Sequence, residues 1–261
     1  IGLTATVERH DNRHLLMYKM FNYNVFTYSP KEALRDGILN PFILYDVGVE
    51  ADEEFMEEYE ALTKEINTII VSNGGYGKIM RSNLGIKNLL LKLMNERKQM
   101  INNYERKFEV IKIICKKHEH DNVIIFNEFN DMTNKLYWTL LDEGIKACIF
   151  HSGINKDLRE QNLIDFKKGK YNIMLVTKVM DEGVNIPKMD VGIIMAGNST
   201  KKQTVQRLGR VLRKKDKEST LYQIYTSRTI EEEYSINRSK LFKQLCSKYN
   251  KMHFSLDGVL S

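Results

Sequence analysis

The sequence predicts an α/β protein built on a doubly wound parallel sheet, with a helical arm ahead of most of the sheet and a helix near the C-terminal end. Three observations carry this. From residue 122 onward, short apolar runs alternate with helical segments, the pattern of successive βαβ units. Residues 83–117 read instead as a long, charge-rich helical stretch with no strand inside it. Glu231 to Tyr249 reads as one more helix, rich in Lys and Arg.

The elements follow in order. His14 to Phe26 is apolar at irregular spacing. Ala33 to Leu39 reads as a short helix that ends before Asn40-Pro41, because the residue ahead of a proline is pushed out of the helical region. Phe42 to Val49 alternates and is rich in β-formers, a strand. Asp52 to Ile66 reads as a helix with Asp52 as N-cap and acids in the first turn. Asn73-Gly74-Gly75-Tyr76-Gly77-Lys78 resembles a phosphate loop only superficially. That pattern needs Gly where Ser72 stands and Ser or Thr where Ile79 stands, so a turn between helices is the better reading. Beyond the arm come strands at 123–126, 145–150, 173–177, 191–195 and 220–225. Helices at 132–142, 155–168 and 200–212 separate them. Asn155 is placed to cap the second of these helices and Gly169 to end it. Trp138 reads as core. The last dozen residues carry no pattern.

Composition narrows the function classes. The 261 residues suffice for one large domain or a domain with an appendage. Hydrophobic content of 42% and charged content of 28% are ordinary for a globular protein. A net charge of +6 permits a polyanionic partner. No apolar run approaches the ~20 residues of a membrane span, so no membrane partner is expected. Three widely separated cysteines without CxxC spacing point to reduced thiols and an intracellular location. The histidines form no zinc pattern, and no metal site is expected; His118 and His120 read as solvated.

The chemistry concentrates between Met174 and Arg213. A buried strand breaks at a polar turn with Gly183 and Pro187, a second apolar run follows, and the stretch closes with QRLGRVLR. On a helix over 204–213, Gln206, Arg210 and Arg213 fall four and three apart and share one face. A solvated basic face is the plain alternative. Gly209 lets backbone or ligand come close, which favours an anion site. In a doubly wound sheet, ligands bind at the carboxyl ends of strands. Asn127-Glu128, His151-Ser152-Gly153, Thr177 and Gly197-Asn198 all fall there.

TKVMDEGVNIP resembles motif V of superfamily 2 (DEAD/DEAH-like) helicases, and QRLGRVLR resembles their motif VI. Gly2-Leu3-Thr4-Ala5-Thr6 is similar to motif III, and the three occur in family order. The wording is closest to the branch of the xeroderma pigmentosum group B-type repair helicases and restriction motor subunits. The resemblance implies the second, RecA-like motor domain of an ATP-dependent helicase or translocase, with DNA the expected track and an RNA helicase left open as the alternative. Residues 1–9 would be the tail of a first RecA-like domain and 10–119 a connecting strand and helical arm. The motor domain would span 120–228, and 229–261 would be a helical extension. Thr4 and Thr6 would couple the ATP and nucleic-acid sites. Arg210 and Arg213 would be arginine fingers, with Gln206, Gly183 and Asn185 at the nucleotide. Asn185 stands where many members carry Asp. Thr177, Asn127, Ser152, Gly153 and Lys178 would hold the strand through its phosphates. ATP with Mg²⁺ is the implied cofactor, its Mg²⁺ ligands and phosphate loop lying in the first domain, so this fragment alone is expected to be inactive. Two other readings stay open. One is a non-catalytic nucleic-acid-binding module; the other, a Rossmann-type enzyme, lacks a GxGxxG motif opening a helix after a strand.

Overall fold

In a computed structural model, residues 14–21, 28–81, 84–177, 187–195 and 217–261 are described. Seven parallel strands form one sheet in the order β3-β4-β2-β5-β6-β1-β7. They are β1 (Phe42–Val49), β2 (Val123–Asn127), β3 (Ala147–Phe150), β4 (Ile173–Thr177), β5 (Val191–Ile194), β6 (Ser219–Thr226) and β7 (Lys248–Phe254). The five strands β2 to β6 match the alternation read from the sequence. Two more join them: β1 lies inside the sheet between β6 and β7, and β7 forms its outer edge.

The helices are α1 (His14–Phe21), α2 (Pro30–Arg35), α3 (Glu53–Ser72), α4 (Tyr76–Met80), α5 (Leu84–Asn102), α6 (Arg106–Lys117), α7 (Asn130–Asp142), α8 (Lys156–Lys167) and α9 (Ile230–Phe242). Strands β2 to β5 are buried at every position, because helices cover both faces. Alternate residues feed two cores. Val123, Ile125, Ile149, Leu175 and Ile193 pack with Phe108, Ile111 and Ile114 of α6 and Leu136 and Leu140 of α7. Ile124, Phe126, Phe150, Met174 and Val176 pack with Phe166 of α8 and Phe242 of α9. Burying each such aliphatic side chain contributes about 1.5–3 kcal/mol.

The helical arm is α3 packed against α5 around its own small cluster of Ile66, Ile79, Leu90 and Leu93. Arg97 of α5 sits over the Tyr59 ring and donates to Thr63 Oγ1, tying the arm near its base. Of the stretch read as a turn, Asn73–Gly75 joins α3 to α4, and Tyr76, Gly77 and Lys78 already belong to α4. Gly74 and Gly75 take φ of 74° and 102° there, values that side chains resist.

Several expectations are corrected. The arm helix breaks at Asn103–Glu105, giving α5 and α6 rather than one long helix. The final helix ends at Phe242, and residues 248–254, expected as helix and featureless tail, form β7. The Lys and Tyr residues of an exposed edge strand hide the alternation that would mark it. Trp138 is 61% exposed, since the α7 face with Leu136 and Leu140 is the one turned to the sheet. His118 is not solvated: its ring joins Asp121 Oδ2 at 2.7 Å and the Tyr222 hydroxyl at 3.0 Å near the start of β2. Among the described residues no helix is long and apolar enough to cross a membrane. Among them, too, no three His, Cys, Asp or Glu side chains gather as a metal site.

Candidate nucleic-acid interface

The carboxyl ends of β3, β4 and β2 lie side by side. Asn127, the last residue of β2, and Thr177, the last of β4, are register partners. The chain leaves β3 through His151, Ser152 and Gly153 and enters α8 under the Asn155 cap, whose Oδ1 accepts from the Asp157 N–H at 2.8 Å. Four predicted strand-holding residues, Asn127, Ser152, Gly153 and Thr177, therefore share one edge. Lys178, Gly183, Asn185, Gln206, Arg210, Arg213, Thr4 and Thr6 lie outside the described residues.

Two asparagines of α7 join these loops. The Thr177 hydroxyl donates to Asn130 Oδ1 over 2.6 Å. One turn later, Asn134 Oδ1 lies 3.0 Å from His151 Nε2. The Gly153 N–H donates to His151 Nδ1 at 3.1 Å. Nδ1 is thus the acceptor, and the neutral ring carries its proton on Nε2, which donates to Asn134. His151 is buried, and burial together with the Arg159 charge holds its pKa below the ordinary 6.5. A neutral, doubly bonded imidazole is a rigid spacer that sets the position of the Gly153 backbone.

Asn127 is also buried. Its Oδ1 accepts from the Glu128 N–H at 2.7 Å, so it shapes the loop rather than offering a surface group. Ser152 and Gly153 are exposed, and the Arg159 guanidinium stacks on Phe150 at 5.7 Å beside them. The edge thus presents a hydroxyl, a tightly turned backbone and a cation, donor chemistry suited to phosphate oxygens. Sequence reasoning placed His151 at the strand end without a role and passed over Asn130, Asn134 and Arg159. The helix was expected to start at Met132, which hid the i,i+4 spacing of the two asparagines along its first turns.

Gly153 has no room for a side chain. A Cβ there would lie 2.8 Å from Asn130 Nδ2 and 3.1 Å from His151 Nδ1. Gly153→Ala is expected to turn the Asn130 amide away and break its bond to Thr177, destabilising the protein by about 1 kcal/mol. Urea denaturation checks this; a variant as stable as the wild type would show that the amide has room to give.

Residues 106–215 match the family described as the helicase conserved C-terminal domain. This segment is a helicase C-terminal domain. The chain is 30% identical to the DNA 3′-5′ translocase XPB2 of Sulfurisphaera tokodaii over 92% of its own length and 55% of that protein's. It therefore spans about half the length of that relative. Shorter matches reach DNA and RNA helicases alike. Two solved structures share the helicase-domain fold. A fragment assigned to an HsdR subunit of a type I restriction enzyme from Vibrio vulnificus superposes with a TM-score of 0.61 at 16% identity, covering 100% of this chain and 45% of that one. The C-terminal domain of the Sulfolobus solfataricus SWI2/SNF2 ATPase gives 0.55 at 15% identity, covering 79% and 90%. The helicase domain match begins at Arg106, the first residue of α6, and takes in β2 to β5.

Proposed function

We propose that the chain is the second motor half of an ATP-dependent nucleic-acid translocase or helicase whose preferred track is DNA. The observation that carries the reading is the edge at β3, β4 and β2. There Thr177, Ser152 and Gly153 stand together on a chain whose residues 106–215 match the helicase C-terminal domain. The Ser152 hydroxyl, the Gly153 loop and Lys178 meet backbone phosphates. Thr177 joins them when its hydroxyl exchanges Asn130 for a phosphate oxygen. Asn127 acts by holding the loop's shape. Such contacts position a strand without reading its sequence, which suits a motor that moves along any sequence.

ATP with Mg²⁺ binds between this half and a first RecA-like domain, its partner in the same protein, which supplies the phosphate loop and Mg²⁺ ligands. This half contributes Arg210 and Arg213 to the phosphates, with Gln206, Gly183 and Asn185 at the nucleotide. Thr4 and Thr6 connect the two events. An Asn at 185 can still hydrogen-bond a ribose hydroxyl, as the Asp common at that position does.

The deciding experiment measures ATP hydrolysis by the full-length protein with single-stranded and duplex DNA and RNA. Stimulation of about tenfold or more by DNA, above that by RNA, is expected for a motor whose DNA contacts stabilise the closed, hydrolysing arrangement. Salt-dependent binding without hydrolysis under any condition would turn the reading to a non-catalytic binding module.

A further inference from the structure

The loop that leaves β2 is held from the arm. Lys98 of α5 pairs its Nζ with Glu128 Oε1 and lies 5.5 Å from the centre of the Phe129 ring. The two charged side chains are 30% and 24% exposed, so solvent screens the pair only in part. The other carboxylate oxygen, Glu128 Oε2, is buried and among the described residues has no hydrogen-bond partner. A carboxylate satisfied on one oxygen alone is poorly compensated. It also sits one residue from Asn127, on the edge proposed to meet a polyanion.

Beside this pair is a cavity of about 220 Å³ between α5 and the start of α9, lined in part by Asn95, Arg97, Lys98, Asn102 and Tyr234. Glu231 also lines it, but its charge is met by Lys107, whose Nζ is 3.0 Å from both carboxylate oxygens. Arg97 contacts a hydroxyl and an aromatic ring, and among the described residues no carboxylate pairs with it. The charge left over around the cavity is positive.

We propose that Arg97 and Lys98 at this cavity form a subsite for one phosphate of the bound strand, and that Glu128 holds Lys98 until the strand arrives. The inference rests on the nucleic-acid reading above. A phosphate offers Lys98 the same kind of anionic oxygen that Glu128 does. A strand drawn along the β2 loop brings negative charge against Glu128, which weakens that pair as it supplies the replacement. Lys98 passes to the phosphate, and the carboxylate is released toward water. The exchange frees residues 127–129 from the arm when the strand is seated.

The test is fluorescence-anisotropy titration of the full chain with a single-stranded DNA oligonucleotide across a salt series. Lys98→Met is expected to weaken binding about tenfold at low salt and to reduce the log–log salt slope by about 1, the signature of one lost phosphate contact. Glu128→Gln is expected to tighten binding about fivefold at low salt, since it releases the lysine and removes a like charge. In the Lys98→Met background Glu128→Gln should gain at most about twofold, because little but the like charge remains for it to change. A Glu128→Gln variant that binds more weakly, or a folded Lys98→Met variant with an unchanged salt slope, overturns the proposal. If Lys98→Met does not fold, the sign of the Glu128→Gln effect decides alone. Parallel titrations with MgATP separate the two sources of phosphate: loss of nucleotide affinity with strand binding intact would also overturn it. Absence of salt-dependent strand binding by the wild type would remove the nucleic-acid reading itself, and the subsite with it.

Discussion

Arg213→Ala in the full-length protein is expected to lower nucleic-acid-stimulated ATP hydrolysis by about 10³-fold or more, with strand affinity within about threefold of wild type. The physical reason is the charge on the transferred phosphoryl group, which spreads over its equatorial oxygens as the bond to the leaving oxygen breaks. A guanidinium presents paired donors in a fixed fork that matches two such oxygens at once. Lysine keeps the charge but not the fork, so Arg213→Lys should recover only a small part of the loss. Arg210, one helical turn away in the sequence pattern, is expected to behave alike. If the two act as a unit on one phosphate, the double variant will be little worse than either single one. Steady-state hydrolysis and oligonucleotide binding measured side by side check both halves of the prediction. Full hydrolysis by Arg213→Ala would remove the arginine from the reaction. Equal loss of hydrolysis and of strand binding would move it from the nucleotide to the track.

The sheet was legible in the sequence where its strands are covered on both faces. Ile124-Ile125-Phe126 and Met174-Leu175-Val176 are unbroken apolar runs, which only a doubly covered strand tolerates. β7 was not legible, because an edge strand has one solvated side and carries Lys248, Lys251 and exposed Tyr249. The place of β1 was hidden for another reason. Its strand character was plain, but its register partners in β6 and β7 lie 177 and 205 positions later in the chain, and pairing at that distance leaves no local signal. At the candidate interface, Thr177, Ser152 and Gly153 were readable as strand-end residues. The asparagines that join them were not, since Asn130 and Asn134 act through tertiary contacts to Thr177 and His151. The same holds for Lys98, which reads as an ordinary solvated helix charge until the fold brings Glu128 beside it.

Glu231→Ala is expected to give the largest loss of stability of any change considered, about 3–5 kcal/mol. Lys107 of α6 is fully buried, and its ammonium lies 3.0 Å from each oxygen of Glu231, the second residue of α9. Burial pulls the Lys107 pKa down, and the Glu231 charge opposes that pull. Glu231 Oε2 also accepts the Thr226 N–H at 2.9 Å, which closes the backbone at the end of β6. Alanine at 231 therefore strands a buried ammonium and a buried N–H together. Lys107→Met should cost less, because Glu231 keeps the Thr226 N–H and the favourable N-terminal end of α9. Pairing Lys107→Met with Glu231→Leu removes the stranded ammonium but leaves the Thr226 N–H unmet and buried Arg238 without the Glu231 charge, so the double variant is expected to regain only part of what Glu231→Ala loses. Urea denaturation of the three variants provides the comparison, and a Glu231→Ala cost below about 1 kcal/mol would show that water reaches the lysine. The position of the pair gives the result a functional edge. It clamps α6, the carboxyl end of β6 and the first turn of α9 at the wall of the cavity that Lys98 and Arg97 line. A protein that folds with a loosened clamp should thus also bind the strand less tightly, with its salt slope unchanged, because geometry and not a phosphate contact has been lost.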